Sequence, residues 1–332
     1  MRVQEIERRR EIIWSVCSSA VHGAQARGIS TGSYGFDRAL VIGGVPRGKI
    51  VEVYGPASCG KTTLALHVVA EAQKSGGAAA FIDAEHALDL QYSCNLGVKI
   101  EELIVAKPEN GEKALGVALS LIDTGLIEVV VIDSVAALTP VSELSSTMGA
   151  DDFDAIEQMM AKGLRKLAIS AFRTGACVLF INQMRCRANQ STGDDETTTG
   201  GRPLRFYAAM RMDLRVDAPV IENGRTVGER VRMRVTKNKD GGGFRSAVTP
   251  LIHGEGFCRE LELLDIATAH KVVEARKTGF LYQGQTVTRT ELKQNPALVA
   301  GMMDDVRASA RALHAKPVGR AGEEPALKVQ SA

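Results

Sequence analysis

The chain has few aromatic residues, no paired cysteines and no long apolar run. Phenylalanine, tryptophan and tyrosine make up 5% of its 332 residues, and its six cysteines lack the close spacing of a zinc site or a disulfide framework. No apolar run is long enough to span a membrane, and the charged N-terminus lacks the apolar core of a signal peptide. We therefore expect a cytoplasmic protein that does not interact with membranes.

The chain also has almost no net charge. A formal charge of +2 at pH 7 gives no general affinity for nucleic acid, so any surface for nucleic acid must be local. The 45% of hydrophobic and 24% of charged residues exclude wholesale disorder. A chain of this length has room for one large domain and a small one.

Residues 55–63 read G-P-A-S-C-G-K-T-T and fit the phosphate-binding pattern G-x-x-x-x-G-K-[ST]. In such a loop the glycines turn the backbone amides inwards, Lys61 reaches the terminal phosphates, and the Thr62 hydroxyl holds Mg²⁺. An apolar strand precedes the pattern and an amphipathic helix follows it, as a phosphate loop requires. We therefore predict a site for a nucleoside triphosphate. Its predicted residues in this loop are Gly55, Pro56, Ala57, Ser58, Cys59, Gly60, Lys61, Thr62 and Thr63.

Apolar strands alternate with helical patterns from about residue 29 to residue 183. The predicted strands end at Val53, Asp83, Ala106, Asp133 and Gln183. This alternation predicts an α/β fold with a mostly parallel sheet that helices cover on both faces. Ligands bind beyond the carboxyl ends of such strands. Asp83, Asp133 and Gln183 are therefore expected beside the phosphate loop.

Three of the polar residues at these strand ends have chemistry that suits hydrolysis. Asp133 follows a buried apolar strand and is expected in the Mg²⁺ shell. Glu85 is the candidate that orients the attacking water, and the alternative is an ordinary solvated acid. Gln183 precedes the polar segment 184–201, which has no apolar period and is long for a compact domain. We predict that Gln183 couples the bound nucleotide to whatever this segment binds.

The second half of the chain changes to a period of two residues. Met210, Met212 and Leu214 alternate with charged residues, and Asn223-Gly224 marks a hairpin. This pattern predicts an antiparallel extension of the sheet with one apolar and one basic face. The basic face is either a solvated surface or a contact for DNA.

Lys237 and Lys239 form a compact cationic pair at a predicted strand end. Such a pair binds phosphate on its own chain, completes the site of a neighbouring copy, or is merely exposed.

Several ordered strings resemble the bacterial RecA recombinase family. They are I-S-T-G-S (29–33), G-P-A-S-C-G-K-T-T (55–63), F-I-D-A-E-H-A-L-D (81–89), V-I-D-S-V-A-A-L-T-P (131–140), F-I-N-Q (180–183), E-T-T-T-G-G (196–201) and K-N-K (237–239). The resemblance implies a RecA-type P-loop ATPase core that uses ATP and Mg²⁺. It also implies a helical filament of copies on single-stranded DNA, which pairs double-stranded DNA and exchanges strands in recombinational repair. The SOS response and a LexA-type repressor as a candidate partner belong to the same expectation.

The resemblance further implies limits for the parts of the chain. Residues 1–28 are an N-terminal helix that docks on its own domain or on a neighbouring protomer. Residues 29–258 are the ATPase core, with DNA-binding loops near 145–154 and 184–201. Residues 259–312 are a small C-terminal α+β module, and residues 313–332 are a flexible tail.

The resemblance also assigns roles to single residues. Glu85 matches the water-activating glutamate, and Gln183 matches the sensor between nucleotide and DNA. Lys237 and Lys239 match a pair that reaches the ATP of the neighbouring protomer. The expected adenine contacts are Asp89, Tyr92, His253 and Gly254, where the histidine replaces a tyrosine. The expected DNA contacts are Phe153, Arg185, Arg187, Thr199, Gly200, Gly201 and Arg202.

The chain departs from the family pattern on the DNA side. Ala188 and Thr192 stand where large apolar residues are expected, and Gln158 stands where a phosphate-binding arginine is expected. The alternative function is therefore a RecA-fold, ATP-switched DNA-binding or regulatory protein that does not exchange strands. A ring helicase on this fold would need a large N-terminal domain, and a small-molecule kinase would need an acceptor pocket.

Overall fold

The computed structural model describes residues 28–145, 153–186, 196–222, 224–241, 245–276 and 279–315. The predicted N-terminal helix, Arg187, Ala188, Thr192 and most of the predicted tail lie outside these residues, as do the side chains of Phe153 and Arg185. The described residues fall into two units, 28–262 and 263–315. The domain limits drawn from the sequence stay a prediction.

The elements of secondary structure are as follows. The strands are β1 (Gly28–Ile29), β2 (Val45–Pro46), β3 (Ile50–Gly55), β4 (Ala78–Asp83), β5 (Leu103–Ala106), β6 (Ile127–Asp133), β7 (Cys177–Cys186), β8 (Glu196–Thr198), β9 (Met210–Glu222), β10 (Arg225–Asn238), β11 (Ser246–Ile252), β12 (Gly256–Phe257), β13 (Glu274–Arg276), β14 (Gly279–Tyr282) and β15 (Gln285–Val287). The α-helices are α1 (Tyr34–Ala39), α2 (Lys61–Lys74), α3 (Leu90–Asn95), α4 (Gly111–Asp123), α5 (Val141–Ser145), α6 (Phe153–Thr174), α7 (Gly201–Tyr207), α8 (Arg259–Ala269), α9 (Arg289–Gln294) and α10 (Pro296–Ala315).

One part of the large sheet in the first unit is parallel. Its strands follow the order β3-β7-β6-β4-β5, and each pairs in parallel with its neighbour. Val129 and Val131 of β6 belong to the apolar cluster that includes α2, whereas Val130 and Ile132 belong to the cluster that includes α4 and α6. Helices therefore cover both faces, and a strand that is buried on both faces reads as a continuous apolar run.

The other part of the sheet is mainly antiparallel. β9 pairs in parallel with β3, and β10, β11 and β12 then follow in antiparallel order. Met212 and Leu214 are buried on the same side as Val231 and Met233, as the period of two residues predicts. The predicted α/β fold with a mostly parallel sheet and an antiparallel extension is confirmed.

The two described ends of the segment 184–201, residues 184–186 and 196–201, are more regular than the sequence predicts. β7 continues to Cys186, and β8 pairs with it in antiparallel register, with Met184 opposite Thr198. Helix α7 then begins at Gly201. This pairing rests on backbone hydrogen bonds between mostly polar residues, so it leaves no apolar period to detect.

The second unit combines a small sheet with helices. β13, β14 and β15 form a three-stranded antiparallel sheet. Thr288 and Glu291 form a capping box at the start of α9. The side chain of each residue accepts a hydrogen bond from the backbone N–H of the other, so two backbone donors are satisfied where the helix begins. Across the ranges that the structure describes, no helix is long and apolar enough to cross a membrane.

Candidate nucleotide-binding site

The phosphate loop joins β3 to α2, and both of its framing glycines are required by geometry. A Cβ at Gly55 would lie 2.1 Å from the carbonyl oxygen of Leu214 on β9. Gly60 has a φ of +88°, and a Cβ there would lie 2.7 Å from the Leu251 Cδ1 atom. Gly60 is the N-cap of α2, so the loop ends at the N-terminus of this helix. Free backbone N–H groups and the helix dipole favour an anion there.

Lys61 is the first residue of α2 and is only 8% exposed. Its Nζ donates to the carbonyl oxygens of Gly55 at 3.2 Å and Pro56 at 2.5 Å. The Cys59 sulfur lies 3.9 Å from the same nitrogen, and burial raises the pKa of this thiol. The ammonium is thus held at the loop by backbone oxygens, and Cys59 acts as a small buried side chain.

Thr62 and Asp133 bring two oxygen ligands together beside the loop. Thr62 Oγ1 donates to Asp133 Oδ2 at 2.8 Å. Burial raises the pKa of Asp133 to about 6, and the nearby charges of Glu85 and Asp83 act in the same direction. Hydroxyl and carboxylate oxygens are ligands that suit Mg²⁺. Within the described ranges, no group of three or more His, Cys, Asp or Glu residues is arranged to hold a metal ion.

Glu85 and Gln183 are 98 positions apart in the chain and meet at this site. Gln183 Nε2 donates to Glu85 Oε1 at 3.1 Å, and Ser134 Oγ donates to the same oxygen. Gln183 lies opposite Gly55 in the parallel pairing of β7 with β3. The backbone N–H groups of Ala84 and Glu85 both donate to the Asp133 carbonyl oxygen. The structure therefore places the predicted water-orienting acid in direct contact with the predicted sensor.

Helix α3 forms one side of the site. Of the predicted adenine contacts, Tyr92 lies on this helix and Asp89 is its N-cap. Asp89 caps α3 by accepting from the backbone N–H of Tyr92 at 2.9 Å. The Tyr92 hydroxyl is 2.9 Å from Thr63 Oγ1. Asn95 Nδ2 donates to the Gly254 carbonyl oxygen at 3.4 Å, so α3 and the turn at Gly254 are neighbours.

A cleft of about 370 Å³ runs along the phosphate loop. Ser58, Cys59, Gly60, Lys61, Thr62, Thr63, Glu229, Leu251 and His253 line it. His253 was predicted from the resemblance, whereas sequence reasoning missed Glu229. Glu229 reaches the cleft because β10 pairs with β11 in one particular register, and no motif signals that register.

Comparisons with known proteins identify the family of the chain. Residues 4–258 match the RecA N-terminal domain, which is well over half of the chain. The chain belongs to the RecA family. Protein RecA of Citrifermentans bemidjiense is 45% identical over 278 residues, which cover 82% of each chain. Protein RecA of Azoarcus sp. strain BH72 is 46% identical over 286 residues, which cover 84% of this chain and 83% of that protein.

Membership of the RecA family confirms the function predicted from the sequence. The protein is a recombinase of DNA repair with a DNA-dependent ATPase activity. Neither the family match nor the relatives favour the alternative of a regulatory protein without strand exchange.

A buried polar network ties the segment 184–201 to the RecA-type core. Asn182 Nδ2 donates to Glu52 Oε1 at 2.9 Å and to the Thr199 carbonyl oxygen at 2.8 Å. Glu52 is fully buried and forms an ion pair with Arg211. Sequence reasoning missed all three side chains, because a polar residue inside a strand carries no motif of its own.

Three of the predicted DNA contacts begin α7. Gly200 has a φ of +87°, and a Cβ there would lie 2.7 Å from Val135 Cγ1. Gly201 also has a positive φ, and the backbone N–H of Arg202 donates to Glu157 Oε1 at 3.3 Å. These residues and Thr199 therefore lie at the end of the segment that Asn182 anchors.

Helix α6 presents basic residues that the sequence analysis did not single out. Lys162, Arg165 and Lys166 are exposed on this helix, which begins within the segment 145–154. Their spacing of three and four residues places them on one helical stripe.

Lys237 and Lys239 make their described hydrogen bonds with α7. Lys237 Nζ donates to the carbonyl oxygens of Arg205 at 2.5 Å and Phe206 at 3.1 Å, and Lys239 Nζ donates to that of Phe206 at 3.5 Å. Burial lowers the pKa of Lys237, and the charges of Lys239 and Arg211 lower it further. Both lysines thus lie at the carboxyl end of α7, and no described hydrogen bond joins either to the phosphate loop.

Proposed function

We propose that this RecA-family protein binds ATP with Mg²⁺ at the phosphate loop and transmits the state of the nucleotide to DNA through Gln183. The hydrogen bond between Gln183 and Glu85 supports this proposal most directly. It joins the side chain expected to orient water to the strand that leads into the segment 184–201. Hydrolysis and DNA binding would then share one pair of side chains.

The triphosphate is bound by charge and by backbone amides. Lys61 has its ammonium at the loop, and the N-terminus of α2 supplies free N–H groups. Thr62 and Asp133 would hold Mg²⁺, which supplies charge neutralisation to the phosphate oxygens when bound. Asp89, Tyr92, His253 and Gly254 would surround the base.

Glu85 would orient the water that attacks the terminal phosphate and accept its proton. Its Oε1 atom already accepts from Gln183 and Ser134, which fix the carboxylate in one orientation. General acid–base assistance of this kind contributes about 10²–10⁴-fold to a rate. When Gln183 turns towards the terminal phosphate, Glu85 loses one donor and the strand end moves with Gln183. Binding of nucleotide and binding of DNA would thereby be coupled.

The DNA contacts would come from both predicted loops and from α6. Phe153, Arg185 and Arg187 are assigned by the resemblance, and Thr199, Gly200, Gly201 and Arg202 form the anchored end of the segment 184–201. Arg165 and its basic neighbours on α6 would add contacts to phosphates, which dominate affinity for single-stranded DNA and make it sensitive to salt.

We further propose that copies of the chain assemble into a helical filament on single-stranded DNA and pair it with double-stranded DNA. Lys237 and Lys239 would complete the ATP site of the neighbouring protomer, since their described contacts lie at α7 and not at their own phosphate loop. We also propose a LexA-type repressor as a partner, on the resemblance to the family, and a cytoplasmic location, on the composition of the chain.

A steady-state ATPase assay with and without single-stranded DNA tests the coupling. Lys61→Ala should abolish hydrolysis, because the terminal phosphates lose their cation. Gln183→Ala should keep basal hydrolysis and lose the stimulation by DNA. Gln294→Ala, an exposed amide on α9, is the matched control and should behave as the wild type. The proposed coupling would be contradicted if DNA stimulated hydrolysis by Gln183→Ala as it does that of the wild type. It would also be contradicted if the affinity for single-stranded DNA were the same with and without nucleotide.

A further inference from the structure

His67 connects the helix that begins at the phosphate loop with the short strand β12. The histidine lies on α2, which begins at Lys61. Its Nε2 atom accepts a hydrogen bond from the backbone N–H of Phe257 at 3.0 Å. The centres of the two rings lie 5.6 Å apart, so the side chains also pack against each other. The imidazole therefore ties α2 to β12 by one polar and one apolar contact.

Gly256, the first residue of β12, lies directly against the imidazole. Its φ is +81°, and a Cβ there would lie 2.5 Å from His67 Nε2. The same Cβ would overlap with the side chain of Leu96, the C-cap of α3. The backbone of β12 is therefore enclosed between α2 and α3, and His67 supplies a hydrogen-bond acceptor in this space.

The imidazole of His67 is neutral and carries its proton on Nδ1. Burial lowers the pKa of His67 to about 4, and the charges of Arg259 and Lys74 act in the same direction, against that of Glu71. In a neutral imidazole one nitrogen donates and the other accepts, and the Phe257 N–H identifies Nε2 as the acceptor. At neutral pH His67 therefore keeps the acceptor that this contact requires.

β12 directly follows the turn of residues 253–255, which carries two of the predicted base contacts. His253 lines the nucleotide cleft, and the Gly254 carbonyl oxygen accepts from Asn95 Nδ2 at the end of α3. The phosphate loop continues into α2, and the turn is held to the same helix through His67. The position of the base contacts relative to the phosphates therefore depends on the contact between His67 and Phe257.

We propose that His67 is a positioning residue, which holds the turn 253–255 at the distance from the phosphate loop that a nucleoside requires. It thereby raises the affinity of the site for the nucleoside part of ATP. This inference rests on the proposed ATP site and adds to it a residue that acts through the turn. Loss of one neutral hydrogen bond lets the turn move, and such a bond corresponds to about 2- to 10-fold in affinity.

Equilibrium binding of ATP and of inorganic tripolyphosphate to the full-length protein, with Mg²⁺, tests the inference. His67→Met removes the acceptor and keeps a side chain of similar length, so it should bind ATP about 2- to 10-fold more weakly than the wild type does. Its affinity for tripolyphosphate, which has neither base nor sugar, should be unchanged. His67→Gln keeps an acceptor oxygen and should bind both compounds as the wild type does. Gln294→Met changes an exposed amide on α9 and should leave both affinities unchanged.

A double-mutant cycle with His253→Ala separates positioning from a general loss of structure. Because His67 acts through the turn, His67→Met should weaken ATP binding less in His253→Ala than in the wild type. His67→Asn has an acceptor on a shorter side chain that does not reach Phe257. It should give the same result as His67→Met and replaces that variant if the methionine prevents folding.

Equal ATP affinities of His67→Met and His67→Gln would overturn the inference. Equal losses of affinity for ATP and tripolyphosphate would overturn it as well, because the effect would then lie in the phosphate loop. Independent effects of His67→Met and His253→Ala would show that His67 does not act through the turn. A wild type that binds neither compound would instead refute the proposed ATP site.

Discussion

The parallel part of the large sheet (β3 to β7) and its antiparallel part (β9 to β12) contribute to the site in different ways. Asp83, Asp133 and Gln183 come from the parallel part, and all of them lie at or near carboxyl ends of strands. Glu229 and Lys237 come from the antiparallel part and reach their places through pairing register. The carboxyl ends of parallel strands lie at one edge of the sheet, so strand order predicts which polar residues meet there. A residue of an antiparallel strand can face a site from any position along the strand, so its place depends on pairing register.

The two parts are joined by a small set of polar contacts across β3, β7, β9 and β10. Arg211 of β9 pairs with Glu52 of β3, and its guanidinium lies 4.6 Å from the centre of the Tyr54 ring. The Tyr54 hydroxyl donates to Thr236 Oγ1 of β10 at 2.9 Å. We therefore expect reaction rate to depend on the parallel part, and stability to depend strongly on the contacts between the parts.

The largest expected effect concerns the rate of hydrolysis. Glu85→Gln should lower kcat for ATP by about 10²–10⁴-fold and leave ATP affinity nearly unchanged, because an amide does not accept the proton of the attacking water. Steady-state kinetics and direct ATP binding measure the two quantities.

The contrasting variant lies in the antiparallel part. His253→Ala should weaken ATP binding without a comparable loss of kcat, since His253 lines the cleft but does not belong to the carboxyl ends of the parallel strands. A loss of kcat in His253→Ala as large as that in Glu85→Gln would break the comparison.

The next effect concerns the buried ion pair between the two parts. Arg211→Met leaves the fully buried Glu52 carboxylate without its partner, which should lower the free energy of unfolding by about 3–5 kcal/mol. Urea denaturation measures this loss, and a second change, Glu52→Gln, should recover much of it. Arg232→Met breaks an exposed pair with Asp217 and should cost at most about 1 kcal/mol. Equal losses in the two arginine variants would contradict the prediction.

A third effect concerns pH and the acids gathered at the parallel strand ends. Burial raises the pKa of Asp133 from 3.8 to about 6, so the folded protein binds this proton more tightly than the unfolded chain does. The resulting stabilisation is complete below about pH 4 and is lost as the pH rises through 6.

Asp133→Asn should remove this pH dependence. In the absence of Mg²⁺, the stability of the variant relative to the wild type should increase between pH 4 and pH 7 by up to about 3 kcal/mol. Urea titrations across this range measure it. A constant difference between wild type and Asp133→Asn would show that the carboxylate is not perturbed.

The smallest effect concerns the hydrogen bond between Tyr54 and Thr236. Tyr54→Phe should cost about 1 kcal/mol of stability, since it removes one hydrogen bond and keeps the ring beneath Arg211. A double-mutant cycle with Thr236→Val isolates the coupling between the two hydroxyls. A coupling near zero would show that this contact does not join the two parts.

The sequence predicts the parallel part and its chemistry well, for a physical reason. A strand buried on both faces is mostly apolar, so β6 is visible as a run of valines and isoleucine that ends at Asp133. The convergence of strand ends then predicts that Asp133 and Gln183 lie near the phosphate loop. The contact of Gln183 with Glu85 also follows from this convergence, although Glu85 itself lies two residues beyond its strand.

The features that the sequence does not predict depend on pairing register or on isolated polar residues. Glu229 enters the cleft only because it lies opposite Leu251, and one step of register would turn it away. The pairing of β7 with β8 has no apolar pattern, and Asn182 and Glu52 are polar residues within apolar strands. Their importance lies in hydrogen bonds to partners far along the chain, which composition and spacing do not show.

The unbroken course of β7 has one more consequence. The strand has 10 residues and is therefore about 33 Å long, and it runs from the interior at Cys177 past Gln183 to Cys186. Because Gln183 and Cys186 belong to one strand, we expect a displacement of Gln183 to shift the end of β7 as well. Side chains alternate between the two faces of the strand. One residue inserted after Gln183 would therefore turn each later side chain of β7 to the opposite face, whereas two inserted residues would restore the faces and lengthen the strand.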